Sequence, residues 1–358
     1  MKKIYVPIKK VEEYTPEDFG GIRQVKTVCI VRYGAFGDII QASSLFPRFK
    51  ELGYKVCVNV TETGHDLLLH NPYVDQLIVQ NDNQISNFEL GEYWEVMEKC
   101  FHKFVQLSES IEGTLLLNPK RVMEVQGKSY VIEGHEHYNS SKEKIHDICN
   151  KNYLEETHRL AGIDFKHAPE YFPSKDERKW AKKERKKIKN RKVVLFALSG
   201  SSVHKVYPWT DNVIASLLLK RKDVSIVTVG DDLCQLLEVG WEDEKRVITK
   251  SGKWSINKTL AFLPYCDVIV GPETGVLNAA SGMNNHKCVF LSHSSIENLT
   301  KHWKNTTSME PENCPCFPCH KMHFGFSTCN RDKETGGALC AANIHHERVV
   351  QDILGNLK

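Results

Sequence analysis

Long apolar runs are missing from this chain. No stretch of its 358 residues approaches the ~20 consecutive apolar residues that a membrane-spanning helix needs. The opening MKKIYVPIKKVEEY lacks the unbroken apolar segment of a secretory signal. Both absences argue against an integral or exported protein and point to the cytosol, leaving room for peripheral contact with the inner membrane through a surface patch. Internal repeats are missing too, which excludes solenoids and propellers. So is a strong net charge: the formal balance is +3. It is unevenly spread, with 23 Lys+Arg against 27 Asp+Glu in residues 1–180 and 25 against 18 in the rest. A basic second half suits a polyanionic ligand, for which a pyrophosphate is sufficient.

What is present is ordinary globular material. Hydrophobic content of 41% supplies ample core, and the length fits two domains. Twelve cysteines form two groups. Cys29, Cys57, Cys100, Cys149, Cys234, Cys266 and Cys288 are scattered, several in strand-like runs, and read as small buried hydrophobes. Cys314, Cys316, Cys319, Cys329 and Cys340 crowd into the C-terminal region.

Residues 1–25, with Pro7, Pro16 and the Gly20-Gly21 pair, read as an irregular leader. A regular pattern starts at Lys26: strand KTVCIVR, turn YGAFGD, helix 39–53, strand YKVCVNV, a short helix, and strand QLIV. Residues 81–170 are less regular, with a helix expected at 91–104. The stretch 178–192 carries ten basic residues and one acid and reads as a linker helix. A second series follows: VVLFALSGSS, VSIVTVGDD, RVITKSG, a helix around INKTLAFLPYC, DVIVGPETG and CVFLS. Two βα series predict two doubly wound domains, 26–177 and 193–358, with a ligand cleft between them.

Four loops carry candidate chemistry. In VRYGAFGDII, Gly34 and Gly37 permit a tight turn and Asp38 opens a helix, either as a simple N-cap or as a base facing a ligand. In LSGSSVHKVYPW, Ser199, Gly200, Ser201 and Lys205 supply amides, hydroxyls and a cation suited to a diphosphate, although an ordinary turn with a solvated lysine has the same letters. In VTVGDD, Asp232 ends a strand where ribose hydroxyls are commonly held. In DVIVGPETGVLNAASG, Glu273, Thr274 and Gly275 open a helix of small residues. Glu273 would repel phosphate, so it is expected to touch sugar hydroxyls or a loop amide.

In this order the four motifs, with HNPYVDQLIV and the tail ALCAANIHHERVVQDI, resemble the ADP-heptose:lipopolysaccharide heptosyltransferases of glycosyltransferase family 9. The similarity covers roughly 26–80 and 190–355. It implies a GT-B fold of two facing Rossmann-like domains, an acceptor-side first domain and a nucleotide-sugar-binding second one. It also implies an inverting reaction that needs no metal or other cofactor. By resemblance Asp38 is the general base, Lys205 and Ser201 meet the donor phosphates, Asp232 the ribose, and Glu273-Thr274-Gly275 the donor. Family members carry Asp where Glu273 stands and His near Asn278, so a donor other than ADP-heptose fits equally well.

The acceptor is open between a glycan such as a lipopolysaccharide core and a hydroxylated DNA base, the latter suggested by the basic run. That run also suits a solvated helix face. A binding protein without activity is a third class, disfavoured by Asp38 and Lys205 occurring together. Cys316, Cys319, Cys329 and Cys340, with His320 or His323 as substitutes, have ligands enough for a structural zinc. Reduced buried thiols are the alternative, ahead of disulfides.

Overall fold

The computed structural model describes residues 1–20, 26–82, 84–86, 88–108, 115–125, 128–323 and 325–358. They form two compact units, Met1–Ser110 with Leu154–Ser174, and Ile111–Tyr153 with Lys175–Lys358. The division departs from the expected domain limits at two places. Residues 111–153 belong with the second unit, and so does the basic helix Lys175–Lys187, which is not a separate linker. Trp180 on that helix packs edge-on against Trp254 at 4.9 Å, which ties the helix to its unit.

The first unit is built on a parallel sheet of β1 (Lys2–Tyr5), β2 (Thr27–Val31), β3 (Lys55–Thr61), β4 (Gln76–Gln80) and β5 (Lys103–Gln106), in the order β1-β4-β3-β2-β5. β2, β3 and β4 are nearly continuous β-branched runs because both faces are covered, as a parallel sheet requires. The helix expected over 39–53 is two helices, Phe36–Ala42 and Leu45–Glu51. Ser43 and Ser44 break it by turning their hydroxyls onto Ile40 O and Gln41 O, a local competition that bends helices. The helix expected at 91–104 is Leu90–Glu98, and β5 takes the remainder.

The leader is a correction. Residues 21–25 lie outside the described residues, but Lys2–Tyr5 is an edge strand paired in parallel with β4. Val6, Val11, Tyr14 and Phe19 enter the core, where Tyr14 and Phe19 pack on Tyr93 at 5.1 and 5.4 Å.

In the second unit, β6 (Arg121–Val125) and β7 (Lys128–Ile132) make an antiparallel hairpin. The main sheet is parallel: β8 (Lys192–Ala197), β9 (Val224–Val229), β10 (Val247–Thr249), β11 (Val268–Pro272), β12 (His286–Phe290) and β13 (Thr306–Met309). Their order is β10-β9-β8-β11-β12-β13. Its core joins Phe196, Ile226, Val270 and Phe290 to Ile214 and Leu217 of the helix Thr210–Lys220 and to Val349 and Ile353 of the C-terminal helix. The seven scattered cysteines are all buried, as expected of small apolar residues. Among the described residues, no helix is long and apolar enough to cross a membrane.

If the N-terminal segment is integral to the first unit, Phe19→Ala should cost on the order of 3–5 kcal/mol, as truncation of a buried aromatic does. Urea unfolding followed through Trp94 fluorescence measures it. A loss below ~0.5 kcal/mol would mark the segment as an appendage.

Candidate functional site

In each unit, polar groups lie on loops at the carboxyl ends of the parallel strands, the position where open α/β sheets place ligands. In the first unit, β2 runs into Arg32, which is buried and donates through Nη1 to Leu107 O at 2.6 Å. Gly34 follows with φ of +107°, a conformation that favours glycine. Asp38 is the third residue of the helix Phe36–Ala42, and the N-cap is Ala35, so the simple capping reading does not hold. Its Oδ1 lies 3.2 Å from Arg32 Nη2, and its side chain keeps 29% exposure. A fixed, buried guanidinium thus orients a carboxylate that still reaches solvent. Gly37 is buried beneath it in the same turn.

In the second unit, the SGSS loop leaves β8 and turns back through Val203–Lys205. A Cβ on Gly200 would stand 2.7 Å from Lys205 Cδ and 3.2 Å from Thr274 Cγ2. The missing side chain is what lets the lysine stem lie across the loop and beside Thr274. Ser199 Oγ donates to Gly200 O at 3.2 Å, and Ser201 is exposed at the tip. Thr274 precedes the short helix Gly275–Ala280, yet its hydroxyl caps nothing. Among the described residues, the buried Thr274 Oγ1 and Asn278 Oδ1 have no hydrogen-bond partner. Buried polar groups are rarely left so.

Glu273, by contrast, is scaffold. It is buried and accepts from Ser292 N at 2.6 Å and from Ser294 Oγ at 2.9 Å, and it pairs with His293. Of its two expected partners, the loop amide is the one it meets. Burial alone would push this carboxyl up, but the His293 charge and hydrogen bond, with Lys205 and the Ser292 amide, outweigh it. The carboxyl is held well below the usual range.

Asp232 is exposed at the start of the turn Leu233–Glu238, and its Oδ1 accepts from Gln235 Nε2 at 3.3 Å. Sequence reasoning passed over Glu238 in that turn. It is buried and receives Thr228 Oγ1 at 2.6 Å, Ser251 Oγ at 2.7 Å and Ser251 N at 3.1 Å, fixing the ends of β9 and β10. Its only signal was an acid inside an otherwise apolar stretch, LCQLLE.

A cluster of histidines was also missed in part. His204 Nδ1 contacts Ser292 Oγ at 2.9 Å, and its ring lies 4.9 Å from His293 and 5.6 Å from His323. His320 Nε2 is 3.3 Å from His146 Nδ1. Burial pushes His204 well down, and burial with the nearby His293 charge takes His320 and His323 to about 4.

All twelve cysteines are unpaired. Cys314 Sγ and Cys316 Sγ stand 3.6 Å apart. Hydrogen bonding to Cys314 lowers Cys316 to about 6, whereas burial, with the Cys316 and Cys329 charges, raises Cys319 to about 12. Burial raises Cys340 as well, reinforced by Cys319, Cys329 and Cys316. Among the described residues, no three His, Cys, Asp or Glu side chains converge to hold a metal ion.

No family model matches this chain, and no curated protein matches it in sequence. Solved structures do match. ADP-heptose lipopolysaccharide heptosyltransferase II of E. coli superposes with a TM-score of 0.62 at 13% identity, covering 92% of this chain and 98% of that one. A glycosyltransferase family 9 structure from Veillonella parvula gives 0.63 at 12%, covering 93% and 97%. The iron-containing dodecameric glycosyltransferase TibC of enterotoxigenic E. coli gives 0.55 at 12%, covering 94% and 77%. At such identities the likeness establishes the fold: an α/β chain of two Rossmann-like units of the kind found in GT-B heptosyltransferases.

The depressed histidines make a testable demand on pH. Between about pH 6.5 and 4 the unfolded chain binds more protons than the folded one, so stability falls as pH falls. Urea titrations at pH 7, 5.5 and 4.5 should show this loss. His320→Asn should flatten the slope by up to about one proton. A pH-independent midpoint across that window would contradict the buried, neutral state of these rings.

Proposed function

We propose that the chain is an inverting, metal-independent glycosyltransferase that moves a sugar from a nucleotide diphosphate donor to a glycan hydroxyl, as in a lipopolysaccharide core. The observation that carries this reading is the convergence of Gly200, Lys205 and Thr274 at the ends of β8 and β11, with Thr274 Oγ1 and Asn278 Oδ1 buried and unpartnered among the described residues. A cation laid over a glycine loop beside spare polar groups suits a diphosphate. The heptosyltransferase among the fold neighbours is described as using ADP-heptose, which supports a nucleotide-sugar donor without fixing the sugar.

The chemistry divides between the units. The acceptor oxygen attacks the anomeric carbon from the side opposite the leaving group, and its proton passes to the Asp38 carboxylate, oriented by Arg32. The bond from the anomeric carbon to the phosphate oxygen breaks. Lys205 stabilises the diphosphate charge that departs, the role a metal ion has in other transferases. Cysteines left unpaired suit a reducing compartment, which supports a cytosolic setting for the reaction. DNA as acceptor has less support. Arg185 of the basic helix is spent on the carbonyls of Ile188 and Arg191, at 3.1 and 2.8 Å, and Lys187 pairs with Glu184.

Cys316, Cys319, Cys329 and Cys340 have the donor chemistry of a structural zinc site, and TibC is described as iron-containing. Their described positions do not close around an ion, so no step of the reaction is assigned to one. If these four cysteines hold zinc, purified protein carries about one equivalent of it and chelation lowers the melting temperature. Metal analysis near zero on folded protein would return Cys316, Cys319, Cys329 and Cys340 to the buried-thiol reading.

Asp38→Asn should lower kcat by ~10²-fold or more while donor affinity stays near wild type. Lys205→Ala should cost on the order of 2–4 kcal/mol in kcat/KM for the donor. Steady-state kinetics on both variants tests the division of labour. An Asp38→Asn enzyme within a few-fold of wild type removes Asp38 from the mechanism, and an unchanged donor kcat/KM does the same for Lys205.

A further inference from the structure

Beside Asp38, wholly within the first unit, lies a cavity of about 390 Å³ at the carboxyl ends of β2, β3 and β4. Its lining includes Tyr33, Gly34, Thr61, Thr63, Gln80 and Asp82, closed on one side by the apolar Ile85 and Leu90. The size suits a small-molecule site. Its link to the reaction is short. Gly34 lines the cavity, and a Cβ there would stand 3.7 Å from Asp38 Oδ2, so a hydroxyl seated against Gly34 is within reach of that carboxylate.

The floor is a rigid polar network. Tyr33 OH contacts Asn59 Oδ1 and donates to Gln80 Oε1 at 2.9 Å, while accepting from Trp94 Nε1 at 3.1 Å. Gln80 Oε1 also receives Tyr93 OH at 3.0 Å and Asn59 Nδ2 at 3.3 Å. The amide oxygen is therefore fully engaged, which fixes the side chain. Among the described residues, Gln80 Nε2 and the hydroxyls of Thr61 and Thr63 have no hydrogen-bond partner. These are neutral donors and acceptors, arranged beside a tyrosine ring and two aliphatic side chains. That combination matches a sugar, which presents hydroxyls at its edges and C–H groups on its faces.

The charge pattern narrows the class further. No lysine or arginine lines the cavity among the described residues. The sole charge in the lining is Asp82, which has no ion-pair partner among them. The Arg32 guanidinium is already engaged by Asp38 and Leu107 O. A phosphate or carboxylate entering here would meet a negative wall and leave its own charge unpaired, a penalty that discriminates strongly between ligands.

We propose that this cavity is the acceptor subsite and that it takes an uncharged, hydroxyl-rich sugar in preference to a phosphorylated or carboxylated one. The proposal rests on the glycosyl-transfer reading above and narrows its acceptor. Thr61, Thr63 and Gln80 position the sugar, and Asp82 turns anions away.

The test uses the full-length protein and ligand-observed NMR titrations with matched probes. These are p-nitrophenyl β-glucoside against p-nitrophenyl β-glucuronide, and methyl α-glucoside against its 6-phosphate. The neutral member of each pair should bind about tenfold more tightly or better. Gln80→Ala should weaken the neutral probes by about tenfold. Because Gln80 is also a hub of the network, Thr63→Arg provides the second arm: it should reverse the preference toward the anionic members, which a purely structural role would not do. Equal or tighter binding of the anionic probes by the wild type overturns the proposal. So does the absence of binding by either set, or an unchanged preference in folded Thr63→Arg. A separate titration of the wild type with ADP and UDP distinguishes the failures. Without nucleotide binding the glycosyl-transfer reading falls, whereas nucleotide binding with an anionic preference removes only the cavity's role.

Discussion

The geometry around Gly200, Lys205 and Thr274 depends on one buried carboxylate. Glu273 follows β11 with almost no solvent to stabilise its charge, and such a group persists only where partners replace the lost water. Here Ser292 N, Ser294 Oγ and His293 do so, all from the segment that follows β12. The tie fixes the ends of two adjacent strands to each other and holds Thr274, the next residue, against Gly200 and Lys205. Removing the charge would free the loop that presents the site. The same device recurs where Glu238 binds the ends of β9 and β10, and where Arg32 steadies Asp38 beyond β2. In each case a charge too costly to bury alone is held by groups from a neighbouring strand end.

This design explains what the sequence disclosed and what it withheld. Runs such as KTVCIV, VSIVTV and DVIVGP announce themselves because strands buried on both faces must be β-branched and apolar throughout. β1 was missed because KKIY is four residues long, carries two lysines and sits at an edge, where burial does not dictate composition. The split of the helix at Ser43-Ser44 was equally hidden, since those hydroxyls act on carbonyls of the preceding turn rather than through any break in apolar spacing.

For the site, Lys205 was legible because its glycine and serines are close neighbours in the chain. Glu273 was legible as a residue of interest but not as scaffold, since its partners lie 19 and 21 residues further on. His204 and His293 left no local signature and Glu238 only an acid in an apolar stretch, because their roles arise only when separate strand ends meet in space. The domain limits failed for a related reason: the packing of Trp180 on Trp254 assigns the basic helix to the second unit, and charge composition carries no such information.

The proposed reaction is transfer of a sugar from a nucleotide diphosphate with inversion. It is tested most directly by incubating the protein with a panel of ADP-, UDP-, GDP- and CDP-sugars and a neutral glycoside acceptor, without added divalent ion. The anomeric proton of the product is then read by NMR. The account predicts consumption of at least one donor, release of the nucleoside diphosphate, and a product whose anomeric configuration is opposite to that of the donor. A product that retains the donor configuration, or turnover that appears only when a divalent ion is supplied, would contradict it.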